Sequence, residues 1–267
     1  MTASLSQRFA TPVVVDSSFL RELDGRLRAL RPHIIAQFAG ERNLDAGKLT
    51  EQVERAAPPS DTIDAIHYNE ALAYVEPKYS IRWKNDVNLR VSGVEAAIEA
   101  LELEYTMPTR IEGEIGSYGR TYMSLAVDGS DLYPSRLSTK GSIESVRNAR
   151  DSAINFLKKH TPDYSILHDS RLKIVLLGAI LIFSLVSSFY NGFGFASADT
   201  NSKKIETVIG TVIGVLIWTF VYWLFGKSFP VVVWKFGAGR KQAVFQKVFI
   251  GLVALLVSAI IIPIILR

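Results

Sequence analysis

Residues 174–198 read IVLLGAILIFSLVSSFYNGFGFASA, and these 25 consecutive residues contain no charged side chain. Two further uncharged stretches follow, TVIGTVIGVLIWTFVYWLFG at 207–226 and VFIGLVALLVSAIIIPIIL at 248–266. An apolar stretch of about 18 residues or more can cross the roughly 30 Å hydrocarbon core of a bilayer as a helix. The sequence therefore predicts three transmembrane helices, at about 172–195, 206–226 and 246–266.

The charges divide the chain at the start of the first predicted span. Residues 172–267 hold nine Lys or Arg and two Asp or Glu, whereas the preceding residues hold 21 basic and 24 acidic side chains. The mildly acidic N-terminal part is therefore a poor surface for nucleic acid. We predict a helical N-terminal region at 1–60, an α+β soluble domain at 61–171 and a three-helix transmembrane domain at 172–267.

Basic residues around the spans predict their orientation, because cytosolic loops are enriched in Lys and Arg. Four basic residues precede span one, two lie between spans one and two, and five lie between spans two and three. We therefore expect the N-terminal domain and the second loop in the cytosol, and the C-terminus outside. With no export signal at the N-terminus, we expect a multi-pass protein of the cytoplasmic (plasma) membrane if the chain is prokaryotic.

The second loop and span two contain the candidate membrane contacts. Lys235, Arg240, Lys241 and Lys247 are candidates for anionic lipid headgroups, although we favour an ordinary positive-inside loop. Residues 229–234 are too few to span and are expected on the inner membrane surface. Gly210 and Gly214, with Thr207 and Thr211 beside them, indicate close helix packing. We favour packing against spans one or three over a seam between copies.

Apolar residues recur at helical spacing over residues 19–38, which predicts an amphipathic helix with a kink or break at Pro32. Five of these positions also fit a coiled-coil spacing over about two heptads, fewer than a firm assignment needs. We favour a core helix, and the alternatives are a homo-oligomer seam and a helix that lies on the membrane. The seam would consist of Leu20, Leu23, Leu27, Leu30 and Ile34.

After Pro77 the apolar period becomes alternating, which predicts strands at 79–83, 87–91, 101–105, 111–115 and 122–127. An edge strand is expected at 134–138, and a helix from Ser142 to about Lys159. The domain should therefore be α+β, with a helical lead and a small antiparallel sheet that has helices on one face. Four glutamates, Glu102, Glu104, Glu112 and Glu114, fall on neighbouring predicted strands. We favour a solvated face for them over a divalent-cation site.

Motifs for catalysis are missing from the sequence. There is no cysteine, no His-x-x-x-His pair and no Gly-x-Ser-x-Gly elbow, and the sequence at 226–228 (GKS) lacks the upstream glycine of a P-loop. We therefore expect no enzyme, no metal and no cofactor. The prediction is a membrane protein whose cytosolic domain binds an unidentified ligand or protein, and whose helices anchor it or transmit a signal. The alternative is an oligomeric effector or channel that permeabilises the bilayer.

Overall fold

The structure is a computed structural model that describes residues 2–55, 59, 62–117, 120–129, 133–168, 178, 212, 216, 219–220, 223–225, 227–236 and 247–251. The chain forms two compact units, each built from two segments of the sequence. Unit 1 comprises Met1–Pro162 and Val231–Arg240, and unit 2 comprises Asp163–Pro230 and Lys241–Arg267.

Strands and helices both contribute to the described part of unit 1. The strands are β1 Thr2–Phe9, β2 Val13–Val15, β3 Lys78–Trp83, β4 Asn88–Ser92, β5 Pro108–Gly116, β6 Tyr122–Asp128, β7 Ser135–Ser142 and β8 Val232–Trp234. The helices are α1 Ser17–Arg28, α2 Arg31–Arg42, α3 Ala46–Glu54, α4 Thr62–Val75, α5 Val94–Leu103 and α6 Ile143–Lys159.

Six strands form one sheet in the order β1-β7-β6-β5-β3-β4, and every neighbouring pair is antiparallel. This sheet and its helices confirm the predicted α+β class of the N-terminal region. β1 pairs with β7 from Thr2 opposite Ser142 to Phe9 opposite Ser135. The predicted edge strand, β7, is therefore an interior strand, because β1 lies along its outer side.

β1 occupies residues for which the sequence predicts only a helical lead. In its sequence, TASLSQRF, exposed residues alternate with the partly buried residues Ala3, Leu5, Gln7 and Phe9. Leu5 and Phe9 pack against the core. The alternation is weak because only these two side chains are large and apolar, so the strand period does not stand out from the sequence.

The helices pack on the face of the sheet that carries Tyr79, Ile81 and Ile111, all of which are buried. α1 passes closely over β5 at Gly113. A Cβ atom at this position would lie 3.0 Å from Leu23 Cδ2, so the absence of a side chain permits the close approach. The core of unit 1 therefore lies between this face of the sheet and the helices.

The predicted helix at 19–38 is two helices, α1 and α2. Asp16 caps α1 by accepting a hydrogen bond from the Phe19 N–H at 3.0 Å. The chain turns at Ala29 and Leu30, and Pro32 lies in the first turn of α2, where its missing N–H leaves no bond unmade. The predicted break is therefore present, and Pro32 lies in the first turn of the second helix.

The strand predicted at 101–105 is wrong, because α5 continues to Leu103.

The described part of unit 2 begins with a 3-10 helix at Asp163–His168. The Tyr164 hydroxyl donates to the Pro230 carbonyl at 3.0 Å, and its ring lies 5.2 Å from the Phe229 ring. Phe225 and Phe229 both pack edge-on against Phe249, at centroid distances of 5.8 and 5.3 Å. These rings join the helical residues near 225 to those near 249.

Large apolar side chains are exposed on the described helical residues near the second predicted span. Val212, Leu216, Phe220 and Trp223 are each at least half exposed, and their spacing places them on one face of a helix. Among the described residues, no helix is both long enough and apolar enough to cross a membrane. Most residues of the three predicted spans lie outside the described part of the chain. The transmembrane domain therefore stays a prediction.

Candidate functional site

β2 and β8 form a small parallel sheet inside unit 1. Val13 lies opposite Val232, and Val15 lies opposite Trp234. The Val13 N–H donates to the Val231 carbonyl and the Lys235 N–H donates to the Val15 carbonyl, each at 3.0 Å. We call β2, β8 and the side chains that hold them the junction. The expectation that residues 229–234 lie on the membrane surface is wrong for β8, since Val232 and Trp234 are buried in unit 1.

The junction also holds the end of α6. The Val14 N–H donates to the carbonyl of His160, the residue that follows α6, at 2.8 Å. The His160 ring lies between two phenyl rings, 5.1 Å from Phe19 and 4.9 Å from Phe156. β2 is therefore bonded to β8 and to the end of α6 at the same time.

A carboxylate on α1 strengthens the contact with the end of α6. Glu22 accepts from Lys159 Nζ at 2.6 Å and from Arg26 Nη2 at 2.9 Å, and it lies 3.2 Å from His160 Nε2. The hydrogen bond from Lys159, followed by that from Arg26, lowers the pKa of Glu22 to about 2. The carboxylate is therefore ionised at neutral pH and links α1 to the end of α6.

A second carboxylate connects the start of α1 to the residue after β8. Asp16 accepts from Ser18 Oγ at 2.6 Å and lies 3.3 Å from Lys235 Nζ. Burial disfavours the ionised form, but the hydrogen bonds from Ser18, the Phe19 N–H and Lys235 outweigh it and lower the pKa of Asp16. Asp16 thus caps α1 and holds Lys235 with one charged group.

Trp234 fixes β8 against the sheet. A Cβ atom at Gly129 would lie 3.1 Å from Trp234 Nε1, so the indole packs where glycine leaves room. The Gly129 N–H donates to the Thr109 carbonyl at 2.8 Å, so this contact lies where β5 begins and β6 ends. Among the described residues, the buried Trp234 Nε1 has no hydrogen-bond partner. Packing, and no polar contact, therefore holds this side chain.

The arrangement suits a mechanical connection. The carboxylates of Glu22 and Asp16 are both paired with cations, Glu22 with Lys159 and Asp16 with Lys235. In the part of the chain that the structure describes, no three His, Asp or Glu side chains are grouped to hold a metal ion. The junction joins the segment near residue 232 to α1 and to the end of α6.

The residues predicted to contact lipid or neighbouring helices are only partly described. Lys235 belongs to the junction, and Lys247 is exposed on the helical residues 247–251. The other predicted positions lie outside the described residues. They are Thr207, Gly210, Thr211, Gly214, Arg240 and Lys241.

The side chains of the candidate oligomer seam belong to the core of unit 1. Leu20, Leu23, Leu27 and Ile34 are buried, and Leu30 packs partly buried against them. They are divided between α1, the turn after it and α2. An oligomer built through these side chains would have to open the core, so their spacing is accounted for by a core helix pair.

The four glutamates do not lie on neighbouring strands. Glu102 is in α5, and Glu104 follows it and accepts from Thr106. Glu112 and Glu114 share one face of β5, where they pair with Arg110 and Arg90. The strand carboxylates are thus neutralised by arginines, as expected for a solvated face.

The junction was not visible from either of its strands alone. The runs VVV at 13–15 and VVVW at 231–234 are short and β-branched, which is a strand signal. Nothing local indicates that they pair, and the second run is flanked by predicted spans. Comparison with protein-family models, curated proteins and solved structures finds no match for the chain. Its function is therefore argued from its own geometry.

Proposed function

We propose that this chain is an integral membrane protein whose α+β domain binds a ligand or protein partner on the cytosolic side, and whose three C-terminal helices anchor it and transmit a signal. The observation that carries the proposal is the junction. β8 lies between the second and third predicted spans in sequence, yet it is a buried strand of the N-terminal unit. A loop that joins two membrane helices is thereby built into the soluble domain.

The junction supports the predicted orientation. Because β8 pairs with β2, the loop between spans two and three must lie on the same side of the membrane as the N-terminal domain. The count of basic residues predicts that this side is the cytosol. Strand pairing requires that the two segments share one side of the membrane, and the charge distribution separately predicts which side that is.

The exposed helix face in unit 2 supports a lipid environment. Val212, Leu216, Phe220 and Trp223 lie within the second predicted span and present large apolar side chains outward. A contiguous apolar face of this kind is unusual on a soluble monomer, whereas lipid chains would cover it at no cost. In the same segment Leu224 and Phe225 are buried, so this stretch is not exposed on all sides.

Signal transmission follows from what the junction connects. The end of α6 continues through the 3-10 helix to the first predicted span, and β8 is flanked by the other two. Because β2 bonds both segments, a shift of α1 or the sheet would reach both membrane attachments together. Coupling through packed, hydrogen-bonded elements is the physical form that such transmission takes.

The topology can be mapped with single cysteines, because the chain has none of its own. We would introduce Glu51→Cys, Ser202→Cys or Ala238→Cys and expose bacterial cells and inverted vesicles to a membrane-impermeant maleimide. We expect Ser202→Cys to react only from outside and the other two variants only from inside. Reaction of Glu51→Cys and Ala238→Cys from opposite sides, or release of the protein by alkaline carbonate, would refute the proposal.

A further inference from the structure

One end of the sheet in unit 1 exposes an unusual number of large apolar side chains. Tyr105 is 92% exposed, and Leu103 and Met107 beside it are also exposed. Val87 and Tyr133 belong to the same group. We call these five side chains the apolar end. A soluble surface rarely gathers this many large apolar groups unless it meets a partner or a membrane.

Backbone hydrogen bonds hold the loops that carry the apolar end at one end of the sheet. The Trp83 N–H donates to the Val87 carbonyl at 2.9 Å, and the Lys84 N–H donates to the Met107 carbonyl at 3.4 Å. These bonds join the β3–β4 turn to the connector between α5 and β5. The Asp128 N–H donates to the Pro134 carbonyl at 2.8 Å, which closes the β6–β7 connection at the same end of the sheet.

The apolar end is also the end at which β8 docks. Trp234 packs against Gly129, and the Gly129 N–H is bonded to Thr109, two residues after Met107. Only five residues lie between Val232 and Gly226, the predicted inner end of span two. A chain of that length extends at most about 20 Å. With span two ending at Gly226 as predicted, β8 would be connected to the bilayer surface by no more than this length of chain.

We propose that the apolar end rests on the cytosolic surface of the bilayer, with Leu103, Tyr105 and Met107 at the headgroup level. The inference rests on the proposed function, because it needs the predicted spans to be in the membrane. Tyrosine suits this depth, since its ring is apolar and its hydroxyl reaches water. Exposed Lys84, Asp86 and Glu102 give the rim mixed charge, so the contact depends on apolar insertion and needs no anionic lipid.

The tether explains how so small a contact can hold. Burying an apolar side chain is favourable, but insertion at the headgroup level removes only part of the side chain from water. That would bind a free domain weakly. Linked to membrane helices, the same contact becomes intramolecular and benefits from a high effective concentration. The surface would then fix the tilt of unit 1 relative to the bilayer.

The test uses spin labels on single cysteines in the full chain, reconstituted in phosphatidylcholine vesicles. Tyr105→Cys and Leu103→Cys report on the apolar end. Ile143→Cys is the matched control, because Ile143 is an exposed apolar residue directly after Ser142, at the opposite end of the sheet. Leu216→Cys, in the middle of span two, reports whether the span is in lipid.

We expect the ratio of oxygen to nickel-chelate accessibility to be severalfold higher at 103 and 105 than at 143, and highest at 216. If 103 and 105 match 143 while 216 is in lipid, the inference is overturned and the proposed function stands. If 216 is itself accessible to the nickel chelate, the proposed function fails. Shielding of 103 and 105 from both reagents would indicate a protein partner and would also overturn the inference.

Discussion

Glu22 shows how much one residue connects in this fold. Its carboxylate contacts Lys159 and Arg26 and lies beside His160, so a single charge on α1 holds the last turn of α6. The depressed pKa of Glu22 means that the folded state favours the ionised carboxylate. Stability gained in this way is present above the ordinary pKa of 4.5 and is lost as the pH falls through about 2.

We predict that Glu22→Gln lowers the stability of the full chain by about 1–2 kcal/mol at pH 7, because three donors lose their charged acceptor. The difference from the parent should shrink as the pH falls from 4.5 and vanish near 2. Thermal unfolding followed by near-ultraviolet circular dichroism at several pH values measures it. Glu51→Gln is the control, because Glu51 pairs with Arg55 at the exposed end of α3. An equal loss in both variants would contradict the prediction.

At the scale of elements, β2 matters beyond its three residues. One of its N–H groups bonds the chain before β8, and the next bonds the end of α6. The Val14 N–H is the more telling of the two, because His160 follows the helix and its carbonyl would otherwise lack a helical donor. β2 therefore acts as the common support for two segments that are distant in sequence.

We predict that Val14→Pro frees the end of α6 by removing the N–H that bonds His160. Amide hydrogen exchange at residues 156–160 and 232–234 should become at least tenfold faster, which corresponds to about 1.4 kcal/mol or more. Val14→Ala is the matched control, because it shortens the side chain but keeps the N–H. Equal protection of these amides in the two variants would show that the hydrogen bond is not what holds α6.

The local sequence pattern predicts much of the main sheet, but it predicts neither β1 nor the junction. Alternation of apolar and polar residues located β3, β5 and β6. Their inward side chains are large and apolar, as Tyr79 and Ile81 in β3, Ile111 in β5 and Leu125 in β6 show, so the period of two stands out. It missed β1, whose inward positions include Ala3 and Gln7. The junction lay out of reach for a different reason. Pairing between β2 and β8 is a property of the folded chain, and no window of sequence contains both strands.

At the scale of the whole molecule, unit 1 depends on a segment that is distant in sequence from the rest of the unit. Val232, Trp234 and Phe236 are buried there, although they follow Pro162 by about 70 residues. Burying three such side chains contributes about 5–9 kcal/mol, which is comparable with the stability of an ordinary domain. A fragment cut at the apparent end of the soluble domain would lack this contribution.

We predict that residues 1–168 alone do not unfold cooperatively on heating. Appending residues 229–237 through a flexible linker of about 15 residues should restore a cooperative transition, because β8 can then dock on β2. The same fusion with Trp234→Asp is the control, since a buried charge prevents docking. Circular dichroism of the three proteins measures the outcome. A cooperative transition of residues 1–168 at the temperature of the fusion would contradict the prediction.

The sequence separation between the two junction strands also affects folding during synthesis. Asp16 and Lys235 are 219 residues apart, and β2 and β8 have the same separation. At 5–20 residues per second, a ribosome needs on the order of 10–40 s between the two strands. During that interval Val13 and Val15 have no strand partner and are available to chaperones or to wrong pairings. The N-terminal unit can thus finish folding only after the segment between its two parts, residues 163–230, has been synthesised.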